Sequence, residues 1–335
     1  MNINILGIES TCDETGIAVV KNGTKVLANE LATSISKFVK YGGIVPEIAA
    51  REQLKVIIPT LDSVSRKVPE DKIDAIAVSY GPGLIGSLLV GVETAKTLSL
   101  AWQKPLIPVN HLTAHIYANW LETKNAPEFP LVGLVVSGGH TDLVYMQKHG
   151  DFKLIGSTLD DAVGEAFDKV ARFLGLPYPG GPHIEKAARN YKNNREQNPF
   201  PITMSGKENL EFSFSGIKTA VVRYVEVNKL RLSDKDIAKV AFYFEEAVVE
   251  SIAARVKRAL GIYKPRSLAI GGGVAANLKL RNKLGELCVD LQVRVHFPKI
   301  EFSVDNGAMI ASAAYFVGKP DDPLTVQADS SLHFT

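Results

Sequence analysis

The chain has 335 residues, of which 46% are hydrophobic and 22% charged, a composition typical of a globular protein with room for two ordinary domains. Its formal net charge of +2 excludes a polycation, so any nucleic acid would have to bind through local basic patches. Cys12 and Cys288 are too few for a disulfide framework or a cysteine-based zinc site, and they favour a reducing, cytoplasmic compartment. We expect neither a signal peptide nor a membrane span.

Residues 3–29 are predicted to form three strands. INILGIE passes through the polar turn STCDET into GIAVV, and the KNG turn leads to TKVLANE. YGGIVPEIAAREQLKVIIPTL then predicts an amphipathic helix. DAIAVSYGPG predicts a buried strand ending in a glycine loop, followed by a helix in LIGSLLVGVETAKTLSLAW and a short strand, PLIPV, that leads into NHLTAH.

The second half of the chain repeats this order of elements. Residues 131–156 give strand, SGGHT turn, strand, turn and strand; SLAIGGG, AANLKLRNKLGELC and VRVHF then give strand, helix and strand before FSVDNGAM. The offset between the glycine loops at Gly81 and Gly271 nearly equals the offset between His111 and Asp305. Near-equal spacing indicates an internal duplication.

Alternating strands and helices in both halves predict an α/β fold built twice, with central sheets covered by helices. We expect one lobe at 1–128 and a second at 129–335, with a helical insertion at about 160–235; part of 305–335 could pack back on the first lobe. The alternative is one doubly wound α/β domain whose halves are similar by chance.

His111 and His115 in HLTAH are four residues apart, so on a helix both imidazoles can reach one ion. Asn110 can cap that helix. Asp305 holds the equivalent place in the other half, so the three would meet if the halves face each other. Two histidines and one carboxylate suit Fe(II) or Zn(II). The alternatives are a histidine pair without a metal and an Asp305 that only caps the next helix.

A zinc protease of the HExxH type would need glutamate directly after the first histidine as its general base. Leu112 occupies that position, which argues against a metal-dependent endopeptidase.

Glycine-rich turns at residues 80–83, 137–140 and 271–273 each follow a predicted strand. Glycine lets backbone N–H groups approach an anion closely, so these turns fit a nucleotide held between two lobes, although plain tight turns are the alternative. None matches a phosphate-binding P-loop.

The segment DDAVGEAFDKVARFLGLPYPGGPHIEKAA predicts a helix capped by Asp160 or Asp161, with Asp168 either binding a ribose hydroxyl or merely solvated.

Asp13 and Glu14 lie at a strand turn, where carboxylates are more often turn formers than catalysts.

Nearly the whole chain resembles the TsaD (Gcp/YgjD) family of bacterial or organellar type. The matching strings are GIESTCDETGIA, GGIVPEIAAREQ, YGPGLIGSLLVG, NHLTAH, VSGGHTDL, DDAVGEAFDKVARFLGLPYPGGP, FSFSGIKTA, IGGGVAAN and DNGAMIA. The resemblance implies an ASKHA fold, the duplicated two-lobe fold that is actin-like and ribonuclease H-like. It also implies an acyltransferase that moves a threonylcarbamoyl group from threonylcarbamoyl-AMP to N6 of the adenosine 3′ of the anticodon, in tRNAs reading codons that begin with A.

The same resemblance assigns candidate site residues. Asp13 and Glu14 are candidates to orient the attacking amine or accept its proton. Many members have aspartate where this chain has Glu185. The resemblance implies one divalent ion, Fe(II) in preference to Zn(II), held by His111, His115 and Asp305, and substrate contacts at Val136, Ser137, Gly138, Gly139, His140, Asp168, Gly181, Glu185 and Asn277.

Partners follow from the resemblance as well: tRNA, a paralogous TsaB-like subunit packed on the amphipathic helix of the N-terminal lobe, and a TsaE-like P-loop ATPase. Residues 186–231 carry nine Lys or Arg, Lys207 among them, together with Phe212 and Phe214, so we expect either part of the tRNA surface or a solvated face there. The rival functions are an ASKHA-type small-molecule kinase, a metal-dependent endopeptidase and a non-enzymatic nucleotide-binding scaffold.

Overall fold

The computed structural model describes residues 2–192, 196–204, 206 and 208–334, so Lys207 lies outside the described residues. The chain divides into two compact units. Unit 1 comprises Met1–Pro127, Gln147–Phe152 and Pro298–Thr335, and unit 2 comprises Glu128–Met146 and Lys153–Phe297. Two later segments, 147–152 and 298–335, thus complete unit 1.

The strands and helices are numbered in chain order. The strands are β1 (Asn4–Glu9), β2 (Glu14–Lys21), β3 (Lys25–Thr33), β4 (Ala75–Gly81), β5 (Leu106–Asn110), β6 (Leu131–Val136), β7 (Thr141–Met146), β8 (Phe152–Ser157), β9 (Ser267–Gly271) and β10 (Arg294–His296). The helices are α1 (Ile35–Phe38), α2 (Pro46–Lys67), α3 (Ile85–Trp102), α4 (His111–Tyr117), α5 (Val163–Phe173), α6 (Gly180–Ala188), α7 (Ser215–Val227), α8 (Asp234–Tyr263), α9 (Leu278–Asp290) and α10 (Gly307–Val317).

The two five-stranded sheets have the same topology. The first has the order β3-β2-β1-β4-β5 and the second, read in the same direction, β8-β7-β6-β9-β10. In the first, β1 pairs antiparallel with β2 and parallel with β4; in the second, β6 pairs antiparallel with β7 and parallel with β9. The predicted duplicated α/β fold is therefore confirmed.

In unit 1, alternate side chains of β1 serve opposite faces of the sheet. Leu6 and Ile8 pack in the core with Ile57 of α2 and Val92 of α3. The residue between them, Gly7, faces α10, so the first sheet carries helices on both faces.

In unit 2, the core forms around the long helix α8. Val132 and Leu134 of β6 share a buried cluster with Phe244 and Val248 of α8 and with Phe167 of α5. The helix predicted in this segment is present as α5, and Val163, Phe167, Val170 and Ala171 form its buried face. Within the described part of the chain, no helix combines the length and apolar character that a membrane crossing requires.

Candidate functional site

Helix α4 carries both candidate histidines of unit 1. It starts directly after β5, where the Asn110 side-chain oxygen accepts hydrogen bonds from the backbone N–H groups of Leu112 (2.9 Å) and Thr113 (3.3 Å). The predicted cap is therefore present. One helical turn separates His111 from His115, whose ring centroids are 4.5 Å apart.

Asp305 reaches the histidines because α10 packs very closely on β1 and β2. A Cβ atom at Gly7 would lie 2.1 Å from the Gly307 carbonyl oxygen, and one at Gly16 would lie 2.7 Å from the Gly307 nitrogen. Only glycine permits this approach. Asn306, whose side chain accepts from the Met309 N–H at 3.0 Å, caps α10. The expectation that Asp305 could be that cap is thus wrong.

The three side chains form a compact cluster inside unit 1. The Asp305 Oδ1 atom is 3.6 Å from His111 Nε2 and 3.3 Å from His115 Nε2. One ligand atom from each residue lies within 4.8 Å of the others. Asp305 thus joins the histidines from the closing segment of their own unit, and the expectation that it would come from a facing half is wrong.

His115 provides a test of whether a metal ion fits. Its side chain is fully buried; among the described residues Nδ1 has no hydrogen-bond partner, and Nε2 has only the 3.3 Å contact with Asp305 Oδ1. Burying a poorly hydrogen-bonded polar atom is costly, so an ion bound at Nε2 would relieve that cost. Two imidazoles and one carboxylate are also a donor set that divalent transition metals accept. The cluster is compatible with one divalent metal ion.

Glu9, the last residue of β1, was not among the residues predicted from the sequence. Its carboxylate is fully buried; Oε2 lies 2.9 Å from His111 Nδ1, and Oε1 accepts from the Thr11 backbone N–H at 2.6 Å. The sequence did contain a signal for Glu9, because a carboxylate at the end of a buried strand, directly before a polar turn, is unusual.

Opposite charges dominate the cluster when no ion is bound. Burial alone would lower the pKa of His111, but the Glu9 and Asp305 carboxylates raise it to about 9. Burial favours the neutral form of Asp305, yet His111 and His115 hold its pKa at about 2. Burial and then His111 lower the pKa of His115. Carboxylates therefore stabilise a positive charge at this position.

The β1–β2 turn, residues 10–13, is fixed from several sides. The Gln53 side-chain nitrogen of α2 donates to the carbonyl oxygens of Ser10 (3.2 Å), Cys12 (3.0 Å) and Glu14 (3.1 Å). The Leu84 N–H donates to the Thr11 carbonyl oxygen at 2.9 Å. Gln53 thus has a defined structural role that no local sequence pattern indicates.

The two predicted catalytic carboxylates lie in and directly after this turn. The Glu14 carboxylate accepts a hydrogen bond from the Asp305 backbone N–H, while burial, Asp305 and Asp13 together raise the pKa of Glu14 to about 9. Burial and the same two aspartates also raise the pKa of the Cys12 thiol, which forms a hydrogen bond with the Asp13 side chain. Glu14 therefore adjoins the Asp305 carboxylate of the cluster, and Asp13 adds to the negative surroundings of Glu14.

In unit 2, the predicted ligand loops are linked by direct backbone packing. The Gly164 N–H at the start of α5 donates to the Ser137 carbonyl oxygen at 3.1 Å. Gly272, with φ +94°, packs so closely that a Cβ atom there would lie 2.3 Å from the Val136 carbonyl oxygen. The motifs SGGH, VGEAF and IGGG thus converge around the end of β6.

Glycines in these loops fall into two classes. A Cβ atom at Gly164 would be 2.6 Å from the Ser137 carbonyl oxygen, and one at Gly180 would be 2.6 Å from the Ala171 Cβ, so packing requires these two. Gly138, Gly139 and Gly181 have open space, with no atom within 4 Å of such a Cβ and no positive φ. Neither packing nor strain requires glycine there, which is the pattern expected where a ligand approaches the backbone.

Asp168 lies within α5, and its carboxylate is not a solvated helix charge, because it contacts the start of α6. Its Oδ1 accepts from the Gly180 N–H at 2.6 Å at the start of α6. Burial raises the pKa of Asp168. A half-buried carboxylate beside the open Gly181 can accept a further hydrogen bond from a ligand.

Asp160 and Asp161 do not cap α5, because the N–H of its first residue, Val163, donates instead to the Thr141 hydroxyl at 2.9 Å. Asp160 accepts from the backbone N–H groups of Phe214 and Ser215 at the start of α7, and Asp161 pairs with two lysines. The prediction that Asp160 or Asp161 caps α5 is wrong, because both carboxylates bind groups elsewhere in unit 2.

Glu185 and Asn277 meet at the start of α9. Glu185 Oε1 accepts from the Leu278 N–H at 3.3 Å. The Asn277 Oδ1 accepts from the Leu280 N–H at 2.8 Å, while its amide nitrogen donates to the buried Glu245 at 2.7 Å. Both predicted contact residues are therefore already engaged within the protein.

Phe212 and Phe214 are buried at 1% and 0% exposure, so neither can stack on a nucleic-acid base. Arg223, Lys229 and Arg231 of the basic stretch are exposed. Only the basic side chains of that stretch remain candidates for an RNA-facing surface.

Two duplicated sheets and a buried histidine–carboxylate cluster define an actin-like α/β protein with a candidate metal centre. Among solved structures, HypF of T. kodakarensis superposes with a TM-score of 0.62 at 13% identity over 93% of this chain and 47% of that one. Component A of the (R)-2-hydroxyglutaryl-CoA dehydratase of Acidaminococcus fermentans gives a TM-score of 0.54 at 14% identity, covering 93% and 98%. At these identities the likeness shows the fold alone.

Sequence comparison identifies the family. The profile described as TsaD, tRNA N6-adenosine threonylcarbamoyltransferase, matches residues 25–312. A protein of that name from Carboxydothermus hydrogenoformans is 46% identical over 98% of this chain and 97% of its own length, and one from Symbiobacterium thermophilum is 49% identical over 93% and 91%. The chain belongs to the TsaD family.

Proposed function

We propose that this protein transfers the threonylcarbamoyl group of threonylcarbamoyl-AMP to N6 of the adenosine 3′ of the anticodon, in tRNAs that read codons beginning with A, with release of AMP. Membership of the TsaD family is the observation that carries the reaction type. The compact cluster of His111, His115 and Asp305 supports a metal-assisted acyl transfer. We place the reaction in the cytoplasm, in keeping with the scarcity of cysteine.

His111, His115 and Asp305 would hold one divalent ion, Fe(II) in preference to Zn(II). Bound there, the ion supplies Lewis-acid polarisation of the carbamoyl carbonyl or of a phosphate oxygen. Glu14 accepts the backbone N–H of Asp305 and so helps to hold that ligand in place.

The loops of unit 2 would bind the substrate. Backbone N–H groups at Gly138 and Gly139 are placed to receive an anion such as the AMP phosphate, since both positions are open. Asp168 supplies an acceptor for a ribose hydroxyl. Val136, Ser137, His140, Gly181, Glu185 and Asn277 complete the proposed substrate contacts.

In the reaction, the N6 amine attacks the carbamoyl carbon and forms the new C–N bond. The bond from that carbon to the phosphate oxygen breaks, and AMP leaves with the electron pair. Because AMP is a good leaving group, positioning contributes more than a strong base. Asp13 and Glu14 are the proposed groups that orient the amine or accept its proton.

An apolar groove of about 480 Å³ on unit 1 is the proposed docking surface of the TsaB-like subunit. It lies between α2 and α3, where Leu54, Ile58 and Leu89 are 63%, 58% and 46% exposed. Contiguous exposed apolar side chains of this kind mark interaction surfaces. A TsaE-like ATPase is proposed as a third component, and tRNA as the partner of the exposed basic side chains after residue 186.

A reconstituted assay tests this function. Unmodified tRNA, threonylcarbamoyl-AMP, the partners and Fe(II) are mixed with wild type, His111→Ala or His333→Ala, and modified adenosine is measured by mass spectrometry. The His333 side chain is exposed and lies outside the cluster, so that variant is the matched control. We expect modification with wild type and His333→Ala, and loss with His111→Ala.

Absence of modified adenosine in the wild-type reaction would contradict the proposal. The same mixtures separate the rivals. A kinase would phosphorylate a small molecule from ATP without needing His111. A peptidase would cleave peptide, and a scaffold would bind nucleotide without transfer.

A further inference from the structure

Glu9 is a buried carboxylate with two different tasks. It is fully inaccessible to solvent. Oε1 accepts from the Thr11 backbone N–H at 2.6 Å and so holds the β1–β2 turn. Oε2 lies 2.9 Å from Nδ1 of His111. Oε1 of Glu9 therefore stabilises the turn, and Oε2 contacts the His111 ring.

An ionised carboxylate can only accept hydrogen bonds. Nδ1 of His111 must therefore carry the proton of that bond. In the neutral imidazole the lone pair then resides on Nε2, the atom that lies 3.6 Å from Asp305 Oδ1. The Glu9 contact thus selects the tautomer whose free lone pair points into the cluster.

We propose that Glu9 is a positioning residue that fixes the tautomer and orientation of His111, and so sets the affinity of unit 1 for a divalent metal. This inference rests on the metal centre proposed above and goes beyond the three ligands. It also makes the two histidines inequivalent, because Nδ1 of His115 has no hydrogen-bond partner among the described residues. A carboxylate therefore holds His111 at Nδ1, whereas no described group holds His115 at that atom.

Substitution of Glu9 by glutamine separates the two tasks. A glutamine side chain has nearly the same shape but offers one acceptor and one donor. If its oxygen serves Thr11, its N–H₂ group faces Nδ1 of His111 and stabilises the opposite tautomer, in which Nε2 is protonated. If its oxygen serves His111, two N–H groups oppose each other at Thr11. Either arrangement reduces metal affinity.

Zinc is a suitable diamagnetic probe of this role, and no transfer assay is needed. The zinc dissociation constant is measured by competition with a chromogenic chelator for the full-length wild type, Glu9→Gln and Glu245→Gln. Glu245 is a similarly buried carboxylate in unit 2, bonded to Asn277. We expect zinc binding to weaken 10- to 100-fold in Glu9→Gln, the range typical of lost support for a metal ligand, and to stay unchanged in Glu245→Gln.

A second measurement uses the wild type alone, so it does not depend on the variant folding. Nitrogen-15 NMR of the zinc-loaded protein should show His111 bonded to zinc through Nε2 with a proton on Nδ1. Zinc bound through Nδ1, or a dissociation constant for Glu9→Gln within twofold of wild type, would overturn the role of Glu9. A wild type that binds no zinc would overturn the metal centre and this inference together, whereas failure of tRNA modification alone would affect only the proposed reaction.

Discussion

The β1–β2 turn of unit 1 and the β6–β7 turn of unit 2 occupy the same place in two sheets of identical topology, yet their surroundings differ. The first is enclosed: Gln53 donates to two of its carbonyl groups and to that of the adjoining Glu14, and a Cβ atom at Gly91 would lie 2.1 Å from the Ser10 hydroxyl oxygen. The second is open, since Gly138 and Gly139 have no atom within 4 Å of an added Cβ.

This difference shows how duplicated elements can serve unlike tasks. An enclosed turn excludes water and can hold buried charge, which suits the cluster built around Glu9, His111 and Asp305. An open glycine turn presents backbone N–H groups to an incoming anion. We therefore expect substitutions in the enclosed turn to change stability and metal affinity, and substitutions in the open turn to change ligand binding.

The largest stability effect is expected at the contact of β1 with α10. Gly7→Ala forces a Cβ atom into the Gly307 carbonyl oxygen and should lower the free energy of unfolding by about 3 kcal/mol, with loss of zinc binding as Asp305 moves. Chemical denaturation and zinc titration measure both. Gly285→Ala, in open space on α9, is the control and should be neutral or slightly stabilising. Equal stability of Gly7→Ala and wild type would refute the close packing.

Loss of the three Gln53 hydrogen bonds should have the next largest effect. Gln53→Ala leaves the carbonyl groups of Ser10, Cys12 and Glu14 without that donor and should cost about 2 kcal/mol of unfolding free energy. Gln327→Ala, an exposed position, serves as the control and should change stability by less than about 0.5 kcal/mol. A Gln53→Ala protein as stable as its control would mean that the turn is not held by this side chain.

Glu14 gives the enclosed turn a pH dependence in the metal-free protein. Burial and the neighbouring carboxylates raise its pKa from 4.5 to about 9, so the folded state retains a proton that the unfolded state releases. This group therefore destabilises the fold increasingly as pH rises from about 4.5 to 9. Glu14→Gln should be more stable than wild type by about 1–2 kcal/mol at pH 8 and equal to it near pH 4.

Thermal unfolding of the metal-free proteins across this pH range measures that difference. Glu47→Gln, at an exposed position on α2, provides the matched control. A constant offset between Glu14→Gln and wild type at all pH values would contradict the raised pKa.

The smallest stability effect is expected in the open turn. Gly138→Ala adds a methyl group to empty space and should change unfolding free energy by less than about 0.5 kcal/mol. AMP affinity should nevertheless fall about tenfold, close to 1.4 kcal/mol, because the methyl group occupies ligand space. Calorimetric titration with AMP measures this affinity. Gly216→Ala, at the exposed start of α7, is the control variant. Unchanged AMP affinity would remove Gly138 from the ligand site.

The duplication and the histidine pair were predictable because their signals are local. Strand alternation, glycine turns and the Asn110 cap depend on a few neighbouring residues. Tertiary contacts were not predictable in the same way. Asp305 reaches the histidines through glycine contacts between distant segments, and Asp160 caps α7 instead of the helix that follows it. The burial of Phe212 and Phe214 likewise depends on packing that no local pattern encodes.

Paired binding measurements on two variants test the division of labour between the turns most directly. Zinc and AMP dissociation constants are determined for wild type, His115→Ala and Gly139→Val. We expect His115→Ala to lose zinc binding and keep AMP affinity, and Gly139→Val to lose AMP affinity and keep zinc binding. Loss of both ligands in both well-folded variants, or of neither, would contradict a metal centre built within unit 1 and a nucleotide site built on the open turn of unit 2.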